Sequence, residues 1–198
     1  MAPPYTDRLD RRNLSSPERA YVFGYGSLTA AHNGRLRPAQ LVHIDGFRRT
    51  WNVAMDNRVT LPGYKYYLDP ETGERPAVFV TFLNLIEDLD CAVNGIVIPV
   101  RATDLDLLDD RERNYARFDV TDLILEPING PVWAYFGTEE ARRRYEEGVR
   151  QGTAVVDTTY YESVRDELRR LGEEPFAEFE KTTDEPACPQ RRLERVDL

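Results

Sequence analysis

Phe47, Arg49, Trp51, Val53 and Met55 alternate with Arg48, Thr50, Asn52 and Ala54. This period of two predicts a strand over residues 47–55. Residues 78–85 and 93–100 are apolar and β-branched enough for two more strands, read as an antiparallel pair across an acidic turn at residues 87–90. A short strand at residues 21–23 runs into a glycine turn, Gly24-Tyr25-Gly26-Ser27. Residues 118–125 and 132–136 complete the strands, separated by Pro127, Asn129 and Gly130.

Helical patterns lie between them. Thr103 reads as a hydroxyl N-cap, with Asp104 and Asp106 in the first turn that follows. Residues 139–150 form a weakly apolar helix. Thr159 and Glu162 have capping-box spacing ahead of a helix carrying Tyr161, Val164, Leu168 and Leu171, with Gly172 as its stop. Residues 31–40 hold Gly34 and Pro38 and read as loop or broken helix; residues 56–76, rich in Gly, Pro and Tyr, read as a long excursion of the kind that lines sites. Strands and helices do not strictly alternate, so the class is α+β. The divisions are an N-terminal arm at residues 1–19, a domain at 20–172, and a charged tail at 173–198, either an extended strap or loose.

A chain of 198 residues suits one domain with a real core. Its formal charge of −9 opposes both nucleic acid and an acidic membrane surface. The two cysteines, Cys91 and Cys188, are far apart and lack metal or redox spacing, which points to a reducing cytoplasm. No apolar run reads as a signal peptide or a membrane span.

The glycine turn fails several familiar tests. A dinucleotide fingerprint needs glycine where Thr29 stands, a P-loop needs lysine where Leu28 follows Ser27, and a nucleophile elbow needs glycines where Tyr25 and Thr29 stand. The two histidines, His32 and His43, have no partner at metal spacing and read as a loop and a strand histidine. The expectation is chemistry with no metal, no cofactor and no serine nucleophile.

Residues 104–115, read as a helix at about 100° per residue, place Leu105, Leu108, Glu112 and Tyr115 on one face. A carboxylate on an apolar stripe must be paired or its pKa must rise. Two bland alternatives stand beside a catalytic one: an ion pair to an arginine, or a helix that stops before Glu112.

The strand entering FGYGSL, the later run VNGIVIPV and then LDDRE with Tyr115 shortly after resemble, in order and spacing, the gamma-glutamylcyclotransferase-like superfamily. The resemblance spans about residues 21–137. It implies a compact mixed barrel of about five to seven strands with flanking helices. It implies that Tyr25, Gly26, Ser27 and Leu28 hold a glutamyl head group, that Glu112 matches the catalytic glutamate, and that Tyr115 and Tyr135 line the pocket. For each tyrosine a half-buried strand role is the alternative, and Trp51 reads as core ahead of pocket wall. The implied reaction is cyclisation of a small γ-glutamyl compound to 5-oxoproline with release of an amine. Leu28 stands where some relatives have asparagine, and TAAHNG follows the turn where the glutathione-acting branch has a tryptophan. The LDDRE form also resembles the γ-glutamylamine branch, so the leaving amine is open among γ-glutamyl amino acids, γ-glutamylamines and γ-glutamyl-protected intermediates of a biosynthetic pathway, as is the oligomeric state. The rival expectation is a non-catalytic binding or interaction protein that retains the pocket.

Overall fold

A computed structural model describes residues 20–32 and 40–198. The predicted arm at residues 1–19 and residues 33–39 of the predicted loop or broken helix at 31–40 lie outside the described residues. The elements are β1 (Ala20–Gly24), β2 (Gln40–Asp56), β3 (Lys65–Leu68), β4 (Phe79–Val100), α1 (Leu105–Arg111), β5 (Tyr115–Asp119), β6 (Val132–Gly137), α2 (Glu139–Gln151), β7 (Ala154–Asp157), α3 (Thr158–Arg170), α4 (Glu173–Lys181), β8 (Gln190–Arg191) and β9 (Glu194–Asp197). The class is α+β.

Most strands form one seven-stranded mixed sheet in the order β5-β6-β1-β4-β7-β8, with β2 paired along β4; β3 and β9 form a separate two-stranded sheet. Among the described residues the large sheet does not close into a barrel. The outer edge of β2 meets the segment after β5, through the Leu125 N–H to the His43 carbonyl (3.0 Å) and an Ile44–Ile124 bridge, and the segment after α4, through the Arg49 N–H to the Thr182 carbonyl (2.9 Å) and the Asp184 N–H to the Arg49 carbonyl (3.0 Å). The core between sheet and helices is built from Phe23, Val42, Ile44, Leu83, Leu85 and Phe136, closed on one side by Phe179 of α4.

The predicted hairpin at residues 78–100 is instead one strand. Its two halves both run antiparallel to β2, Phe79 to Glu87 against Asp56 to Phe47 and Ala92 to Val97 against Asp45 to Gln40. Residues 88–91 bulge opposite Gly46, which takes φ 79°. A glycine there lets β2 bend without steric cost while β4 sheds the acidic residues toward solvent. A sequence window sees the polar interruption but not the partner strand that carries the chain across it.

Other boundaries also move. Asp104, not Thr103, precedes α1, and its carboxylate bonds Arg101 (2.8 and 2.9 Å) instead of capping the helix. The strand read at 118–125 begins at Tyr115 and stops at Asp119, whose carboxylate accepts from the Thr121 N–H (2.9 Å) and turns the chain. The cap of α3 is Asp157, accepting from the N–H groups of Thr159 (3.3 Å) and Tyr160 (3.1 Å), so Thr159 lies inside the helix. The excursion at 56–76 contains β3, whose partner β9 lies at the far end of the sequence. The tail residues fold as α4, β8 and β9.

Candidate active site

β1 delivers the chain to the glycine turn. A 3-10 helix (Ser27–His32) follows immediately, its first bond running from the Thr29 N–H to the Gly26 carbonyl (2.9 Å). The N–H groups of Ser27 and Leu28 precede that bond and have no partner within the helix. The turn is tightly folded: a Cβ on Gly24 would sit 3.2 Å from the Leu28 backbone, and one on Gly95 of β4 would sit 2.6 Å from the Gly24 carbonyl.

Arg49 holds the turn from behind. It is fully buried, and its guanidinium donates to the Tyr25 carbonyl (3.0 Å), the Thr182 hydroxyl (3.1 Å) and the Asn94 side-chain oxygen (3.0 Å) and carbonyl. Its face lies over the Phe179 ring at 4.8 Å. Burial draws its pKa down to about 9, which leaves it charged at neutral pH. One side chain thus ties the turn to β4 and the end of α4.

Glu112 reaches the turn from the other side, by a different route from the one the helical wheel implies. α1 ends at Arg111, and Glu112 is its C-cap residue with φ −93° and ψ 44°. Tyr115 opens β5. The helix does stop short of both residues, yet both face the same cleft. The Glu112 carboxylate is 15% exposed, and among the described residues the one cation within ion-pair range is Arg111, its Nε at 3.7 Å, longer than a hydrogen bond. Burial raises its pKa above the usual glutamate value, against the opposing pull of Lys65, Arg111 and Arg195.

The cleft between turn and carboxylate has a cavity volume of about 30 Å³ and is lined by Tyr25, Gly26, Ser27, Leu28, Leu83, Glu112, Tyr115, Tyr135 and Tyr160. All seven residues singled out in the sequence line it. The tyrosine hydroxyls are already engaged: Tyr25 donates to the Tyr135 carbonyl (2.6 Å), Tyr115 to the Leu83 carbonyl (2.7 Å) and Tyr135 to the Asp109 carboxylate (2.8 Å). Tyr160 bonds Ser27, and burial pushes its phenol and those of Tyr115 and Tyr135 up. The walls are therefore neutral, rigid phenols around one carboxylate.

Trp51 does not line the cleft. It packs against Tyr160 and Tyr161, with its indole N–H on the Asp184 carbonyl (2.9 Å). Sequence reasoning missed Leu83, Tyr160 and Arg49. The spacing Tyr160-Val164-Leu168 on α3 was the available signal for Tyr160. For Arg49, an arginine in the apolar phase of a strand was the signal. Outside the cleft, and sharing Ser27 and Glu112 with it, lies an open vestibule of about 650 Å³ whose wall includes β3, β9 and the end of α1. Among the described residues no three histidine, cysteine or carboxylate side chains gather as a metal-ligating cluster.

No protein-family model matches the chain, and no curated protein matches it. Solved structures similar to it include a yeast gamma-glutamyl cyclotransferase specific to glutathione, 16% identical over 62% of this chain and 70% of that one, with a TM-score of 0.42. Another is a gamma-glutamyl cyclotransferase, 14% identical over 68% of this chain and 80% of its own, with a TM-score of 0.40. A protein from Arabidopsis thaliana is 18% identical over 80% of this chain and 97% of its own, also with a TM-score of 0.40.

Proposed function

We propose that the protein is an enzyme of the gamma-glutamylcyclotransferase type, converting a small γ-glutamyl compound to 5-oxoproline and a free amine. The observation that carries this reading is the Glu112 carboxylate. It is nearly buried, raised in pKa, free of any hydrogen-bonded cation among the described residues, and faces a glycine turn across a cleft walled by tyrosines.

The reaction makes modest demands. The α-amine of the glutamyl group attacks its own γ-carbonyl carbon, closing a five-membered lactam, and the γ C–N bond breaks. Nucleophile and electrophile belong to one molecule, so folding the substrate into attack geometry supplies much of the acceleration; effective molarities of about 10⁵–10⁸ M are reached this way. From ammonium to lactam N–H the attacking nitrogen sheds two protons, and the departing nitrogen takes up two to leave as an ammonium; one is exchanged through solvent, Glu112 takes the other from the attacking nitrogen and returns it to the departing one, and no net proton is consumed. A carboxyl raised toward neutrality suits both steps. The N–H groups at Ser27 and Leu28 are suited to the developing oxyanion, because they lie ahead of the helical ladder and glycine at 26 lets a ligand approach closely. Rigid phenol walls exclude water and hold the folded conformer. The cytoplasm remains the proposed site of action, and among the described residues no helix is long and apolar enough to cross a membrane.

Incubating the protein with a panel of γ-glutamyl amino acids, peptides and alkylamides and assaying 5-oxoproline by mass tests the proposal. Release from at least one member is the expected result. Tight binding of a panel member without release would favour the rival, a non-catalytic binding protein.

A further inference from the structure

Glu112 stands at the end of a short helix that has little to hold it. α1 has seven residues, and Leu105 is its one buried side chain, packed with Leu28, Trp133 and Tyr135. Leu107 is 68% exposed. So short a helix is unstable without tertiary support. The Glu112 backbone joins two elements: its N–H donates to the Leu108 carbonyl (2.8 Å), and its carbonyl accepts from the Tyr115 N–H (2.8 Å). On the strand side, β5 is paired along its whole length with β6. The helix side needs a second anchor, because without one the C-cap residue follows every fraying of α1.

Asp109 supplies that anchor. It lies four residues after Leu105 and so shares its face of the helix. One carboxylate oxygen accepts the Tyr135 hydroxyl (2.8 Å), and the other meets Arg117 Nη2 (3.1 Å). Tyr135 of β6 and Arg117 of β5 are registered directly opposite each other, so both side chains leave the same face of the sheet. The Arg117 guanidinium also lies 5.2 Å from the Trp133 ring centre, which steadies it. Its other carboxylate, Asp106, is 3.7 Å away and 90% exposed, and contributes little. Burial and the Asp109 bond push the Tyr135 phenol up, so it stays a donor at neutral pH. Tyr135 also lines the cleft, and its carbonyl accepts the Tyr25 hydroxyl (2.6 Å). A continuous set of bonds thus runs from the glycine turn through Tyr25, Tyr135 and Asp109 to the helix that carries Glu112.

We propose that Asp109 is a positioning residue for Glu112: its contacts with Tyr135 and Arg117 pin α1 to β5 and β6 and so set the Glu112 carboxylate over the glycine turn. The inference rests on the cyclotransferase reading. Asp109 lines neither the cleft nor the vestibule and acts through Glu112 alone. Intramolecular attack depends on near-attack geometry, and a misplacement of about 1 Å costs about 10²-fold. Holding both donors takes a carboxylate: asparagine keeps an acceptor for Tyr135 but turns a donor toward Arg117.

The test compares wild type, Asp109→Ala and Asp109→Asn on a γ-glutamyl compound that releases 5-oxoproline. In Asp109→Ala, kcat should fall by about 10–10²-fold while KM changes by less than about threefold. Asp109→Asn should recover part of the loss. Burial is what raises Glu112, so a loosened helix end exposes it and the acid limb of the kcat–pH profile should move to lower pH. Lys65 of β3 and Arg195 of β9, which also act on Glu112, are untouched by the substitution. Tyr135→Phe keeps the Asp109 charge, so the same shift in that variant is not a direct field effect; it also serves should Asp109→Ala fail to fold. Combined with Asp109→Ala, it should add little. Hydrogen exchange at the Glu112 amide, read by NMR, should accelerate in Asp109→Ala while the β6 amides stay protected. A folded Asp109→Ala with wild-type kcat and an unmoved acid limb overturns the inference, even if it melts lower, and leaves the cyclotransferase reading intact. Additive effects of Asp109→Ala and Tyr135→Phe overturn it too. If the wild type releases 5-oxoproline from no γ-glutamyl compound, the cyclotransferase reading fails, and exchange alone decides whether Asp109 places Glu112: acceleration supports it and unchanged protection overturns it.

Discussion

Arg49 and Glu112 are two charges withdrawn from water on opposite sides of one glycine turn, and they are treated in opposite ways. Arg49 is met by oxygens from Tyr25, Asn94 and Thr182 and by the Phe179 ring. Glu112 is met by apolar and phenolic walls and, among the described residues, by one cation just beyond bonding distance, Arg111. A buried charge with its hydrogen bonds filled is a fastener, and removing it strands its partners. A buried charge with its lone pairs unfilled costs stability and remains free to exchange protons with a ligand. On the proposed function, the difference separates scaffold from chemistry.

The most severe way to break that contrast is Glu112→Gln. The amide keeps the shape but cannot shuttle a proton, so 5-oxoproline release should fall by about 10²–10⁴-fold. Thermal stability at neutral pH should hold or rise. The sign follows from the raised carboxyl: the native state binds its proton more tightly than the unfolded chain, so the stability linked to that proton is present below the unfolded pKa and lost as pH rises through the folded one. Any gain from the amide should therefore disappear in acid. A variant that melts much lower but turns over normally would make Glu112 a structural ion-pair partner of Arg111.

Arg49→Met should do the reverse. It leaves the Tyr25 carbonyl and the Asn94 and Thr182 groups short of a donor, and should cost about 2–4 kcal/mol in chemical denaturation. Arg49→Lys should recover only part of this, since an ammonium cannot span three separate acceptors from one plane. Unchanged stability with lost turnover would move Arg49 from the scaffold to the site.

The turn itself gives a finer probe. Gly26 does not use the left-handed region, and a Cβ there would meet Leu83 and the Tyr160 hydroxyl at an ordinary 3.6 Å. Gly26→Ala should fold normally and raise KM modestly, while Gly26→Val should fill the cleft and abolish saturation by substrate. Full turnover by a folded Gly26→Val would remove the turn from the site.

The gentlest test lies at the far edge of β2. His43 bonds Glu126 (2.6 Å) through Nδ1 and Glu178 (3.1 Å) through Nε2. Burial lowers its pKa, but the two carboxylates outweigh that and raise it. For Glu126, burial raises the pKa, and the bonds from His43 outweigh it and lower it. The histidine's contribution is complete below its unfolded pKa of about 6.5 and fades as pH rises through the folded value, and that of Glu126 fades as pH falls through its folded value. His43→Asn should flatten this small hump in the stability–pH curve without altering turnover at neutral pH. An unchanged curve would show the cluster to be solvent-screened.

Much of the candidate site was legible because it is local. Two glycines around Tyr25 announce a sharp turn wherever the strand before them goes, and a glutamate among leucines stands out in any window. The wheel nonetheless gave the wrong reason for Glu112 and Tyr115, since α1 ends at Arg111 and a C-cap and a strand carry them to the cleft. The 78–100 hairpin was misread because a bulged strand and a turn both interrupt an apolar run with acids. Only the partner strand distinguishes them.

What the sequence by itself determined are properties held within a few residues: the period of β2, the glycine turn and the mixture of helix and strand patterns that makes the class α+β. What only the tertiary structure decided are meetings between distant segments. Tyr160 reaches Ser27 because α3 packs on the 3-10 helix. Arg49 reaches Tyr25 because β2 passes behind the turn. Lys65 reaches the mouth of the cleft because β3 finds β9 at the other end of the sequence. Backbone propensity and side-chain period act over one or two turns of chain, whereas these contacts are chosen by which faces can be buried together, and that choice is made only when the whole core is assembled.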